Sequence, residues 1–135
     1  MAISGNPKDC EKFLVEELGV DIICTLAALQ TYKTETNKMA GMEVTEENAD
    51  EMLRTYVLAL HCELDELLAE FNWKPWKKTK KVVDKEHAAK EFGDIIAFVG
   101  AMIVTLNKLG IRTHALGNGY IKAELENLRR FNGDY

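Results

Sequence analysis

Apolar residues recur three and four positions apart along most of the chain, the spacing of one face of an α-helix, and strand-like alternation is scarce. Phe13, Leu14, Leu18, Ile22, Leu26 and Leu29 mark a first helix. Asn6 is its expected cap, Pro7 its first helical residue, and Gly19 a point where it breaks. After the loop "NKMAGMEV", Thr45 is expected to cap a second helix, with Glu46 and Glu47 at the positive end of its dipole. Its stripe runs Met52, Leu53, Tyr56, Val57, Leu60, Leu64, Leu67, Leu68 and Phe71, and it stops before Pro75. A basic, aromatic connection, "NWKPWKKTKK", leads to Asp84, the expected cap of a third helix ending at Leu109 with Gly110 beyond it. "GIRTHALGNG" reads as a loop, and "YIKAELENLRRF" as a last helix with Ile121, Leu125 and Leu128 facing inward. With two prolines and no internal repeat, residues 1–135 are expected to form a single all-α domain, a four- to five-helix antiparallel bundle.

Composition narrows the function. At 47% hydrophobic the chain can bury a core, and its net charge of −5 argues against a general nucleic-acid binder, which needs excess Lys and Arg to neutralise phosphates. The longest uncharged apolar run, "IIAFVGAMIVTL", falls short of the ~20 residues of a bilayer span, so no membrane partner is expected. "MAISGNPKDCEK" lacks the apolar stretch of a signal peptide, and Cys10, Cys24 and Cys62 form no CxxC. Reduced thiols and a cytoplasmic location follow as expectations.

Against this background two sets of acids stand out. On a helical wheel Glu91, Asp94, Ile95, Phe98 and Met102 share a narrow sector, and the opposite side (Phe92, Ile96, Val99, Ile103) is apolar too. A helix apolar all round is expected to be central and buried, where carboxylates are costly unless compensated. Glu63, Glu66 and Glu70 flank the stripe of the second helix. Antiparallel packing would bring Glu63 and Glu66 against Glu91 and Asp94 with no nearby Arg on either helix to offset them. Divalent cations would, and an all-oxygen donor set selects hard ions: Mg²⁺ first, with Mn²⁺ as a substitute. His87 lies one turn before Glu91 on the same face; a histidine at a helix start is ordinarily exposed, and it receives no role.

The pattern Glu63-x-x-Glu66 … Glu91-x-x-Asp94, with Trp and Lys between, resembles the all-α nucleoside triphosphate pyrophosphatases, the superfamily of dimeric dUTPases and MazG-like enzymes. "FNWKPWKK" is similar to their aromatic–lysine segment, "LAALQ" to the dUTPase helix whose Gln meets the pyrimidine, and "YIKAELENLRRFNGDY" to their C-terminal element. Phe131 departs from the family's Gln after Arg, and "GDY" replaces its "GY". The resemblance implies a nucleoside triphosphate substrate and a homodimer. Glu63, Glu66, Glu91 and Asp94 become the Mg²⁺ ligands, and Glu63 or Glu66 the catalytic group that activates water. Lys74, Lys77, Lys122 and Arg130 become phosphate contacts, Trp76 or Trp73 a wall, and Asn127 and Tyr135 nucleotide contacts. Gln30, whose amide offers both a donor and an acceptor, becomes the contact to the base.

The activity implied is Mg²⁺-dependent cleavage of dUTP to dUMP and pyrophosphate. The alternatives are a MazG-like pyrophosphatase acting on another nucleotide such as dCTP, and a non-enzymatic helical dimer that binds a protein partner. A di-iron bundle would want ExxH motifs, and neither Glu63 nor Glu91 is followed by His three residues on.

Overall fold

The computed structural model describes residues 5–131 and 133, and no strand occurs among them. Asn6 accepts a hydrogen bond from Lys8 N and opens α1 (Pro7–Phe13), as its sequence signature requires. At Gly19 the helix does not break. It passes through one π-helical turn (Leu14–Leu18) and continues as α2 (Gly19–Met39). A Cβ on Gly19 would lie 2.5 Å from Ile121 Cδ1, so this glycine serves a close approach of helices and not a bend.

The second long helix, α3 (Ala49–Ala69), begins later than its acidic start signal suggested. Thr45 and Asn48 exchange hydrogen bonds, Thr45 N to Asn48 Oδ1 at 2.7 Å and Asn48 N to Thr45 Oγ1 at 3.2 Å. This closes a turn ahead of the helix, with Asn48 at the cap position. Helix α4 (Lys85–Lys108) starts and stops as expected: Asp84 accepts from His87 N at 3.1 Å, and Gly110 beyond it has φ +95°.

The last helix, α5 (Thr113–Phe131), starts seven residues before the expected Tyr120, taking in Gly117 and Gly119. Two glycines lower intrinsic helicity, but packing overrides it. A Cβ on Gly117 would lie 2.3 Å from Ile23 Cγ1. Gly19 against Ile121 and Gly117 against Ile23 fit α2 and α5 together antiparallel at close range.

Helix α3 runs antiparallel to α4, and α4 and α5 are turned by 116° from one another. Tyr56 of α3 meets Phe98 of α4 with ring centroids 6.2 Å apart, and Leu29 of α2 lies over Gly100 of α4. The buried apolar residues include Leu14, Tyr56, Ala101, Ile103 and a cluster of Val44, Ala49 and Val104 backed by Met52. Helix α4 is not covered on all sides: Phe92 and Ile96 are 53% and 40% exposed, because a single chain supplies neighbours only for its other flanks. No single helix among the described residues is long and apolar enough to cross a membrane.

Candidate functional site

The antiparallel register of α3 and α4 decides which acids meet. Glu63 and Glu66 are one turn apart on α3, and the structure sets both against Glu91 of α4, with one ligand atom from each within 4.8 Å of the others. Glu91 is 7% exposed. Its Oε2 and the Oε2 of Glu63 are buried without a hydrogen-bond partner. Buried polar atoms are almost always partnered, so two orphaned carboxylate oxygens in one place mark a site built for something positive.

The electrostatics agree. Burial first, then the charges of Glu66, Asp94 and Glu91, hold the Glu63 carboxyl above the ordinary carboxylate range. Burial and contact with Glu66 do the same for Glu91, with His87 acting in the opposite sense. Asp94, the fourth predicted ligand, sits at the edge of the cluster: it adds to the charge on both, while its own carboxylate pairs with Lys90 at 3.6 Å. The donors are all oxygen and their summed charge is negative, so the residues fit a hard divalent cation.

Sequence reasoning missed His87. Its Nδ1 lies 2.5 Å from Oε1 of Glu70, the C-terminal cap of α3, and its Nε2 3.5 Å from Glu91 Oε1. The signal was the register itself: a pairing that sets Glu66 opposite Glu91 carries Glu70, one turn on, to His87, one turn back.

Beyond the C-terminal end of α3, the basic connection folds into a compact loop. Asn72 Nδ2 donates to Lys81 O at 2.8 Å and Lys81 N donates to Asn72 Oδ1 at 2.9 Å, joining its two ends. Lys81 Nζ caps Ala69 O, and Lys80 Nζ donates to Lys74 O at 3.2 Å. Two of the lysines thus hold the loop. Lys74, Lys77 and Lys78 line a cavity of about 530 Å³ with Phe71 and Trp73. Trp73 and Trp76 stand edge to face at 5.9 Å, and Lys74 Nζ lies 5.3 Å from the Trp73 ring centre.

The remaining predicted residues lie elsewhere. Gln30 donates to Thr34 Oγ1 at 3.1 Å and opens on a cavity of about 350 Å³ shared with Asn37, Val104 and Asn107. Val104 is about 20 Å from Glu91 along α4 at ~1.5 Å per residue, so the chain does not itself bring Gln30 to the carboxylates. Lys122, Asn127 and Arg130 are on α5, which packs on α2 and the first helical segment; Asn127 donates to Glu124 Oε1 at 3.4 Å. Tyr135 lies outside the described residues.

A family model described as dUTPase matches residues 25–114, which span α2 from its second turn, the whole of α3 and α4, and the loop between them. No curated protein and no solved structure matches the chain.

Proposed function

Because the chain belongs to the dUTPase family, we propose that it is a Mg²⁺-dependent pyrophosphatase that converts dUTP and water to dUMP and pyrophosphate. The observation that carries the reading is the pair of orphaned, buried carboxylate oxygens on Glu63 and Glu91. Such a pocket repels a polyphosphate unless cations lie between.

Glu63, Glu66, Glu91 and Asp94 would hold the ions. Mg²⁺ held there would supply the charge that neutralises the triphosphate and the departing pyrophosphate. Glu63 and Glu66 share the remaining work: one carboxylate oxygen holds the attacking water and receives its proton as the new phosphorus–oxygen bond forms. Lys74 and Lys77 meet phosphate oxygens at the end of α3, and Trp73, with Trp76 edge to face against it outside the cavity lining, walls the pocket.

The active form in this reading is a homodimer. Leu64, Leu68, Phe92 and Ile96 are each 40% exposed or more at the level of the α3–α4 pair that carries the carboxylates. Large apolar side chains gathered in one region favour association, and a second copy of the same pair is the occupant proposed. Gln30 and Asn127 as nucleotide contacts, and Lys122 and Arg130 as phosphate contacts, belong to the same proposal. Their distance from the carboxylates within one chain is what the pairing of two copies has to bridge.

The test is pyrophosphate release from a panel of deoxynucleoside triphosphates with Mg²⁺ and with EDTA. Fastest turnover of dUTP, abolished by EDTA, is expected. Equal rates on all substrates, or a preference for dCTP, would replace dUTP with the broader MazG-like activity. No release from any of them would leave a non-enzymatic helical dimer.

A further inference from the structure

We propose that His87 is a metal ligand: its Nε2 and Glu91 Oε1 hold a first-row transition-metal ion next to the all-oxygen centre, and Glu70 accepts the hydrogen bond from Nδ1–H. Three observations on α3 and α4 carry this.

The first is the 2.5 Å contact from His87 Nδ1 to Glu70 Oε1. A neutral imidazole that donates from Nδ1 presents a lone pair at Nε2, and a carboxylate behind the far nitrogen is the usual support of a metal-bound histidine. The Glu70 side chain is 19% exposed and that of His87 49%, so the contact joins the two helices at the edge of the pair, with the ring open to solvent.

The second is the 3.5 Å gap between His87 Nε2 and Glu91 Oε1. Charge-assisted N–H···O bonds close to about 2.7–2.9 Å, so this pair is too far apart for one. Two ligands of one ion, each bonded at about 2.1 Å and separated by a near-tetrahedral angle, stand about 3.4 Å apart. The third is Glu91 itself, more than nine-tenths buried, with Oε2 unpartnered. It belongs to both acidic groupings, Glu63–Glu66–Glu91 and Glu70–His87–Glu91, and is placed to bridge two ions through its two oxygens.

Imidazole changes which ion is preferred. An all-oxygen set suits Mg²⁺, whereas a nitrogen donor favours Zn²⁺, Co²⁺ and their neighbours. Two adjacent positions with different preferences would share one carboxylate.

The experiment needs no nucleotide, so its outcome is separate from whether dUTP is hydrolysed. Metal-free full-length protein labelled with ¹⁵N is titrated with Zn²⁺ and, separately, with Mg²⁺, while the side-chain nitrogens of the three histidines are followed by NMR. Zn²⁺ is expected to shift His87 Nε2 strongly and leave Nδ1 protonated; Mg²⁺ is expected to leave the ring unchanged. Equilibrium dialysis of His87→Gln should show one fewer tightly held Zn²⁺ per chain. Glu70→Gln, which keeps the ligand and weakens its support, should lower Zn²⁺ affinity by ~10–100-fold. An His87 ring that Zn²⁺ does not shift in the unaltered protein, or a His87→Gln variant that is folded and binds as much Zn²⁺, overturns the proposal.

Discussion

Helix α5 contains two glycines two positions apart, and the structure gives them opposite reasons to be there. Gly119 has nothing within 4 Å of where a Cβ would sit, whereas a Cβ on Gly117 would lie 2.3 Å from Ile23 Cγ1, 3.3 Å from its Cδ1 and 3.4 Å from its Cβ. Gly119→Ala should therefore return only the helix-propensity difference, a gain of about 0.8–1 kcal/mol. Gly117→Ala receives the same gain but forces Ile23 aside near its branch point, where χ1 is stiff in a helix. Overpacking of this kind costs about 1–3 kcal/mol, so the two variants should differ by about that amount. For a chain of 135 residues, with roughly 4 °C per kcal/mol, Gly119→Ala should melt ~4 °C above the parent. Gly117→Ala should then melt ~4–12 °C below Gly119→Ala. Circular dichroism melts at one protein concentration decide it. If Gly117→Ala melts as high as Gly119→Ala, α2 and α5 are not packed as closely as Ile23 requires.

Further predictions concern the acidic centre and its surroundings. Glu91→Gln should abolish Mg²⁺-dependent pyrophosphate release while raising the melting temperature of the metal-free protein at neutral pH, measured by calorimetry in EDTA. Raised folded-state pKa values at Glu63 and Glu91 mean that the folded chain binds more protons than the unfolded one. Their contribution to stability is then full below the ordinary glutamate value of 4.5 and is lost as pH climbs through the raised values. In EDTA the parent should lose stability over that window relative to a Glu63→Gln/Glu91→Gln double variant; melting curves that stay parallel would refute the coupling. Phe92→Glu should halve the mass seen by light scattering at micromolar concentration, and an unchanged dimer mass would remove the α4 face from the interface. Lys77→Ala should raise KM for dUTP with little change in kcat, and salt should narrow its difference from the parent, as steady-state kinetics at two ionic strengths will show.

Much of this architecture is legible from local chemistry. Asn6-Pro7, Asp84 and Gly110 mark helix ends because the groups that cap a helix sit within a few residues of it. Glu63, Glu66 and Glu91 could be assigned to one site because acids beside an apolar stripe on two successive helices have few other places to meet. What escaped sequence reasoning depends on contacts between distant segments. The glycines of α5 argue for a loop until Ile23 is seen against one of them, and no local signal marks the π turn at Leu14–Leu18. His87 looks like an exposed residue of a first helical turn until Glu70 arrives from the neighbouring helix. Gln30 carries suitable chemistry for a base, but its place along α4 is fixed by the depth at which Leu29 settles on Gly100.

The stitch between Asn72 and Lys81 has a thermodynamic consequence for ligand capture. A lysine-rich segment left free would spread under self-repulsion and would have to be gathered at an entropic cost whenever a polyanion arrived. Closing the segment at its base, and turning the ammonium groups of Lys80 and Lys81 back onto backbone carbonyls, meets that cost during folding. In the proposed reading, Lys74, Lys77 and Lys78 would meet an incoming anion already assembled, and less of the attraction would be spent on organising them.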